Sequence, residues 1–507
     1  MKRLFISLIS IFSVIAIYGQ SKTEYNLEAS GSMSSGEHTP FWMVNHSWGI
    51  IPNTADYTYT RGGVFHQSKL NKDWSLEAGI DIIQSPNSKY GDVWLQQLYG
   101  RVNWKIFRLD IGSREDYVSF LDPNLSSGDF VYSNNARPIP QIKGSIPEFW
   151  LVPGTKGNFF LKGEFSIGKY LDGEWLEDWA SPFKQKFTKD VMFNYKSIYF
   201  RLGDIEKRHK MQFTVGMSHM AQWGGSIYDY NPTKESNWEW QWNVHKQPEG
   251  FDDFLRVMIG KEGSSKASER DQVFVSGSHW GAYFLKYDYK FTEKDRTSVY
   301  IQHFFEDGTG MGGINGQYKD NLYGLEYKRK EKSYLTGAVL EFIYTKNQSG
   351  PIHNNLLIDD DHKDYVKKAY GADNYYNNGD YVQGPSHYGK SIGTPLFLSP
   401  EYNKDGRVNF QSNRIVSFHL GLEGYLFNDL QYRLLATTGR SWGRYSMPYT
   451  KVQKGATAKL ELIYYFPKNE GLDFKLELGC DYKEFFGGKT MGGAITLRKR
   501  GILFERK

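Results

Sequence analysis

The sequence predicts an all-β protein, a transmembrane antiparallel β-barrel carried to a bacterial outer membrane. Three observations predict it: an export signal at the N-terminus, strands long enough to cross a bilayer, and an aromatic-rich composition that holds no membrane-spanning helix.

The export signal decides the compartment. Lys2 and Arg3 precede a run from Leu4 to Ile17 that is apolar except for Ser7, Ser10 and Ser13, and Ala16, Ile17, Tyr18 and Gly19 offer a small-residue cleavage site. The run is shorter than the roughly 18 apolar residues of a spanning helix. It therefore reads as a secretory signal peptide over 1–19, cleaved near Gly19/Gln20, and 20–507 reads as a single barrel domain.

Aromatic residues make up 16% of the chain and hydrophobic residues only 39%. That balance, with a mean hydropathy of −0.58, excludes a helical membrane protein but suits strands that show one face to lipid and the other to water. The formal charge of +5 moves closer to zero once Lys2 and Arg3 leave with the signal, which argues against a nucleic-acid partner. The lone Cys480 excludes an intrachain disulfide, a cysteine-built metal site and a lipoprotein anchor just after the signal. No cofactor is implied.

The clearest strand runs from Leu472 to Lys483. Leu472, Phe474, Leu476, Leu478, Cys480 and Tyr482 alternate there with Asp473, Lys475, Glu477, Gly479, Asp481 and Lys483. Soluble strands average about 5 to 6 residues, whereas a tilted membrane-crossing strand takes about 9 to 11. Ala456, Ala458, Leu460, Leu462, Tyr464 and Phe466 form a matching row, and the turn Pro467 to Gly471 joins the two into a hairpin. The same alternation marks Trp74 to Ile82, Phe159 to Ile167, Phe213 to Met217, Tyr283 to Phe291, Tyr334 to Tyr344 and Val416 to Leu426. A soluble sandwich or propeller shares this period; the export signal, the strand lengths, the aromatic row ends and the lack of a constant repeat favour the membrane barrel.

Two features break the pattern. Phe251, Phe254, Leu255 and Met258 have the spacing of one helical face, after Pro248 and Gly250. The stretch from Thr345 to Gln411, the longest loop, is too aromatic for simple disorder, with Tyr375, Tyr376, Tyr381, Tyr388, Phe397 and Tyr402, and reads as a folded extracellular loop or a plug in the lumen.

Motifs that carry chemistry are weak. Gly308, Gly310 and Gly313 fit a dinucleotide fingerprint, but a strand-like run at Leu322 to Tyr327 follows where a helix is required, so a hairpin loop is the better reading. Gly488, Lys489 and Thr490 end like a phosphate loop with Lys483 where glycine is demanded. Asp359, Asp360, Asp361, His362 and Asp364 miss the spacing of a calcium loop, so no metal site is assigned. His219 with Ser226 is a conceivable catalytic pair without a third member, so no catalytic residue is assigned and no enzyme is expected. Trp238, Trp240 and Trp242 at strand spacing, with Trp42, Trp223 and Trp442, suit stacking on sugar rings, although interfacial girdles use the same residues.

Eight segments, in order along almost the whole mature chain, resemble the outer-membrane capsule assembly Wzi family. They are Thr39-Pro40-Phe41-Trp42 with Trp48-Gly49; Gln97-Leu98-Tyr99; Tyr132-Ser133-Asn134-Asn135-Ala136-Arg137-Pro138-Ile139-Pro140-Gln141; His219 with Trp223-Gly224-Gly225; Phe251-Asp252-Asp253-Phe254-Leu255-Arg256; Tyr375-Tyr376-Asn377-Asn378-Gly379; Ile392-Gly393-Thr394-Pro395; and Trp442-Gly443. The resemblance implies about 18 strands, a lumen plugged by loops, a short periplasmic helix, and capsular or extracellular polysaccharide bound at the surface without catalysis.

On this reading Trp42, Asn135, Arg137, Trp223, Tyr375, Tyr376 and Trp442 are the candidate carbohydrate-binding residues. Pro138 and Pro140 hold Arg137 in extended chain, where it can meet an acidic sugar or pair with a lumen carboxylate. Expected partners are polysaccharide, outer-membrane lipid and the polysaccharide export machinery, with the barrel acting as a monomer. The alternative is a porin or oligosaccharide channel.

Overall fold

In a computed structural model, the chain from Gln20 to Arg506 is described except at 87, 89–90, 208, 232–241, 269–270, 273–274, 307, 312–318, 351–352, 358–365 and 371. The signal-peptide reading of 1–19 lies outside these residues. So do Trp238, Trp240, Gly313 and the acidic run Asp359 to Asp364.

Eighteen strands close on themselves. They are β1 (Gln20–Ser34), β2 (Tyr57–Lys69), β3 (Trp74–Gln84), β4 (Val93–Trp104), β5 (Phe107–Ser113), β6 (Gln141–Leu151), β7 (Phe159–Lys169), β8 (Met192–Leu202), β9 (Met211–Trp223), β10 (Ser278–Lys290), β11 (Asp295–Phe305), β12 (Asn321–Arg329), β13 (Gly337–Tyr344), β14 (Ile415–Phe427), β15 (Leu430–Gly443), β16 (Pro448–Tyr465), β17 (Leu472–Tyr482) and β18 (Thr490–Arg506). Each pairs antiparallel with its chain neighbours, and β18 pairs with β1 from Ser21↔Arg506 to Ser34↔Gly492, which removes both sheet edges.

The alternation read from the sequence sets which face is wet. On β17 the apolar row points outward, with Leu478 48% exposed, while Asp473, Glu477 and Asp481 point inward and are buried. Leu460↔Leu478, Leu462↔Leu476 and Tyr464↔Phe474 stand opposite one another on the outer face of the predicted β16–β17 hairpin. A wall greasy outside and charged inside is the pattern of an outer-membrane barrel, not of a soluble sandwich whose core lies between sheets.

Connections at one end are short, such as 105–106, 428–429 and 466–471. At the other end they are long, up to 224–277 and 345–414. By the general rule for such barrels the short turns face the periplasm and the long connections the exterior.

The helices belong to the long connections: α1 (Phe41–Val44), α2 (Gly173–Ala180), α3 (Phe251–Ile259) and α4 (Gly308–Met311). This corrects the expectation of a periplasmic helix, because no helix is described at the short-turn end. The helix predicted at Phe251 forms, between Gly250 and a left-handed Gly260, but it lies against the outside of the wall at the exterior end. Its Phe254 ring stands 5.4 Å from Trp223 and 6.4 Å from Phe165. Gly308 and Gly310 sit in the single turn of α4, within the connection of the β11–β12 hairpin, in line with the hairpin-loop reading.

Candidate functional site

The exterior half of the lumen is filled. Among the described residues, the connections 35–56, 114–140 and the part of the longest one after 371 turn inward, and their apolar side chains, joined by Phe485 and Phe486 of 483–489 and Tyr170 and Val191 of 170–191, form the main core of the molecule. Phe41, Trp42, Phe130, Val131, Tyr376, Phe397 and Phe410 pack there against inward wall residues such as Phe304, Leu322, Val339 and Ile343. The reading of Thr345 to Gln411 as a plug thus holds for its second part, and the connection runs to 414.

Buried polar pairs fix each plug segment to the wall. The Phe41 amide donates to Asp481 Oδ2 at 2.8 Å, and Trp42 Nε1 donates to Thr437 Oγ1 at 2.9 Å. Glu341, on β13, accepts from Ser126 Oγ and the Ser127 amide at 2.7 Å each and from the Tyr300 hydroxyl at 2.6 Å. Gln302 accepts from the Phe130 amide and donates to Asp129. Burial pushes the Asp129 carboxyl up, against donors from Ser119, Val131, Tyr132 and Gln302. Two glycines permit the contact: a Cβ at Gly421 would stand 2.2 Å from Leu125 O, and one at Gly393 2.0 Å from the Tyr376 hydroxyl.

The segments also lock to one another. The Tyr376 hydroxyl donates to Phe130 O, and Ser133 Oγ donates to Gly393 O at 2.7 Å. Lys390 pairs with Glu401 at 2.7 Å, both buried; burial lowers the lysine and the carboxylate holds it up. His46 and His387, also in the plug, are held neutral by burial, each lowered to about 3.

Below the plug, toward the short turns, the lumen wall carries charges of both signs. Arg433 meets Glu461 at 3.0 Å, Lys475 meets Glu477 at 2.9 Å, and Arg498 and Arg500 meet Asp473 at 2.7 and 2.9 Å. Glu461 and Glu477 stand directly opposite each other, an arrangement the neighbouring lysines make tolerable. On β4 to β7, Arg101, Asp110, Lys143 and Glu164 form a second network with Asp116 of the 114–140 segment. Lys143 and Arg101 overcome burial to hold the Asp116 carboxyl down, at about 2.

The predicted sugar-binding residues are brought mostly into the plug. Trp42, Asn135, Tyr375 and Tyr376 are buried, bonded to Thr437, Ser391, Asp320 and Phe130 respectively. The guanidinium of Arg137 lies between the rings of Trp94 and Tyr388, 4.5 and 4.1 Å from their centroids. Trp223 is covered by α3 on the outer wall. Trp442, at the exterior end of β15, is only partly buried and carries Lys346 at 4.4 Å. Beside it Arg414 lies 4.0 Å from the Tyr445 ring. These two cation and ring pairs, which the sequence reading did not select, make a rim with the chemistry for an acidic sugar; only the nearness of Trp442 to Tyr445 along the chain hinted at it. His219 neighbours His279 at 3.3 Å, while Ser226 is on a small separate sheet between 187–189 and 242–246, where Trp242 packs on Phe187.

These features define an outer-membrane β-barrel of eighteen strands with a wired plug. No family model matches the chain, and no curated protein matches it in sequence. Among solved structures it is similar to one described as Wzi, an outer-membrane protein involved in group 1 capsule assembly in Escherichia coli and a carbohydrate-binding β-barrel, with a TM-score of 0.51 and 9% identity over 93% of this chain and 83% of that one. Weaker likenesses are to OccAB2 of Acinetobacter baumannii, with a TM-score of 0.48 and 8% identity over 96% and 98% of the chains, and OprD of Pseudomonas aeruginosa, with 0.45 and 9% over 96% and 97%. At these identities the likeness concerns the fold.

Proposed function

We propose that this barrel is a non-enzymatic outer-membrane protein that attaches or assembles capsular or extracellular polysaccharide at the cell surface. One observation carries the reading: the exterior half of the lumen is a packed aromatic core fixed to the wall by buried hydrogen bonds, an arrangement suited to presenting a surface rather than to passing solutes. The rim at Lys346, Trp442, Arg414 and Tyr445 offers stacking faces beside cations, the chemistry of acidic-sugar recognition. The likeness to the carbohydrate-binding Wzi barrel supports the same reading at the level of fold. Deleting the gene should release polysaccharide into the medium with synthesis unchanged; full retention on the deletion strain refutes the proposal.

A second reading, a porin or oligosaccharide channel, draws on the charged lumen below the plug, where residues of both signs form rows such as solutes follow through pores. It requires the plug to move. Steady single-channel conductance of the wild-type protein in planar bilayers would favour it.

A further inference from the structure

The outer wall carries a groove that shares only Trp442 with the rim of the proposed function. Near the exterior end of β14 to β17 a cavity of about 560 Å³ is lined by Val416, Phe418, Thr438, Arg440, Trp442, Lys454, Ala456, Tyr482 and Lys483, with three cations and no carboxylate. A second cavity of about 390 Å³ continues it down the wall, sharing Phe418, Thr438, Ala456 and Tyr482 and adding Leu340, Leu420, Ala436, Ala458 and Cys480. The small residues Ala436, Ala456 and Ala458 between larger neighbours hollow out this strip.

The cations are placed against the usual rules. Arg440 and Lys454 are directly opposite on neighbouring strands, both on the outward row, and like charges so placed repel. Neither makes an ion pair or hydrogen bond among the described residues, and both are exposed. Lys483 lies 4.9 Å over the Tyr482 ring and forms no ion pair there either. From Tyr432 to Arg440 the outward row of β15 climbs eight residues, about 20 Å along the axis for a strand tilted by about 40°. That height puts the cations at the top of the apolar band, where headgroups of the outer leaflet begin.

We propose that this groove binds a phosphorylated glycolipid of the outer leaflet, its phosphate held by Arg440, Lys454 and Lys483 and its acyl chains lying in the apolar strip below. An anion arriving from the membrane removes the repulsion across β15 and β16, and the strip takes chains that a free anion lacks. The site is on the lipid face, outside the plug, and meets the rim of the proposed function only at Trp442.

The test uses the full-length protein in detergent, probed by native mass spectrometry with bis-phosphorylated lipid A, its dephosphorylated form and inorganic phosphate. Wild type should retain the phosphorylated lipid at least tenfold better than the dephosphorylated one, and the double variant Arg440→Gln/Lys454→Gln should lose that preference while still migrating faster unboiled than boiled. If the double variant does not fold, Lys483→Gln, outside the strands, should lower retention severalfold. Equal retention by wild type and the folded variants, or no preference for the phosphorylated lipid, overturns the proposal. Displacement of lipid A by millimolar phosphate alone overturns the glycolipid assignment.

Discussion

Replacing Glu341 by alanine should loosen the plug locally, around Ser126 and Ser127, while the wall strands stay paired. Glu341 lies on an interior strand, fully buried, and its carboxylate accepts two donors from the plug, Ser126 Oγ and the Ser127 amide, and one from the wall, Tyr300. Alanine keeps the ladder of β13 intact but leaves these donors without that acceptor, at about 1–3 kcal/mol for each one left buried. Even about 3 kcal/mol for the three together corresponds to a roughly hundredfold rise in the undocked population of the 114–140 segment, at about 1.4 kcal/mol per tenfold. Hydrogen exchange measures this directly: the amides of Ser127 and Phe130 should lose about two orders of magnitude of protection, while those of β16 and β17 stay unchanged. In planar bilayers the variant should show brief openings that the wild type lacks. Unchanged protection at Ser127 and Phe130 in a properly folded Glu341→Ala protein would refute the account of the plug as held by this carboxylate.

Two further outcomes follow from the same geometry. Asp172, just before α2, is buried with its Oδ2 accepting the Tyr388 amide at 2.9 Å, and burial raises its carboxyl to about 7 despite that bond and the nearby Arg137. The folded state therefore holds a proton the unfolded chain releases near 3.9, so stability from this group falls as pH rises from about 4 to about 7 and is level above; between pH 5 and pH 8 the loss is about 3 kcal/mol, and Asp172→Asn should flatten the pH dependence of denaturant unfolding by that amount relative to wild type. Leu478, in the middle of β17 and facing lipid, should cost about 2–4 kcal/mol when changed to arginine, read from urea titration in lipid vesicles, whereas Thr437→Ser on the lumen side should cost far less.

Much of the wall was legible in the sequence because most strands, though not β5 or β13, alternate over a length that few soluble strands reach. The period-2 row at Leu472 to Lys483 located β17 to within one residue, and the aromatic row of Tyr464 and Phe466 located the end of β16. The plug was legible only as an anomaly. Its segments owe their burial to partners from distant strands, such as Ser126 with Glu341 or Trp42 with Thr437, and no local period records a contact more than two hundred residues away. For the same reason Arg137 could be singled out, but its position between Trp94 and Tyr388 could not. Helix α2 passed unnoticed although Trp175, Leu176, Trp179 and Ala180 have helical spacing, since one turn of pattern in an otherwise strand-rich chain is easily discounted. The candidate sugar-binding set leaned on aromatic residues near glycine and proline, which are also the residues a tightly turned interior needs.

The shortness of β5 links the plug and the wall. It ends at Ser113, while its partner β4 climbs on to Val93, so the upper edge of β4 has no strand beside it on that side. The gap is closed by the inward segments themselves: the Glu115 amide donates to Gln97, Gln96 donates to Trp48 O and to Glu115, and Arg137 covers Trp94. The cork is therefore also one of the staves. Pulling it free would unzip a lateral seam facing the hydrocarbon as well as clearing the bore, so this barrel can loosen its contents locally but cannot shed them whole and remain a sealed cylinder.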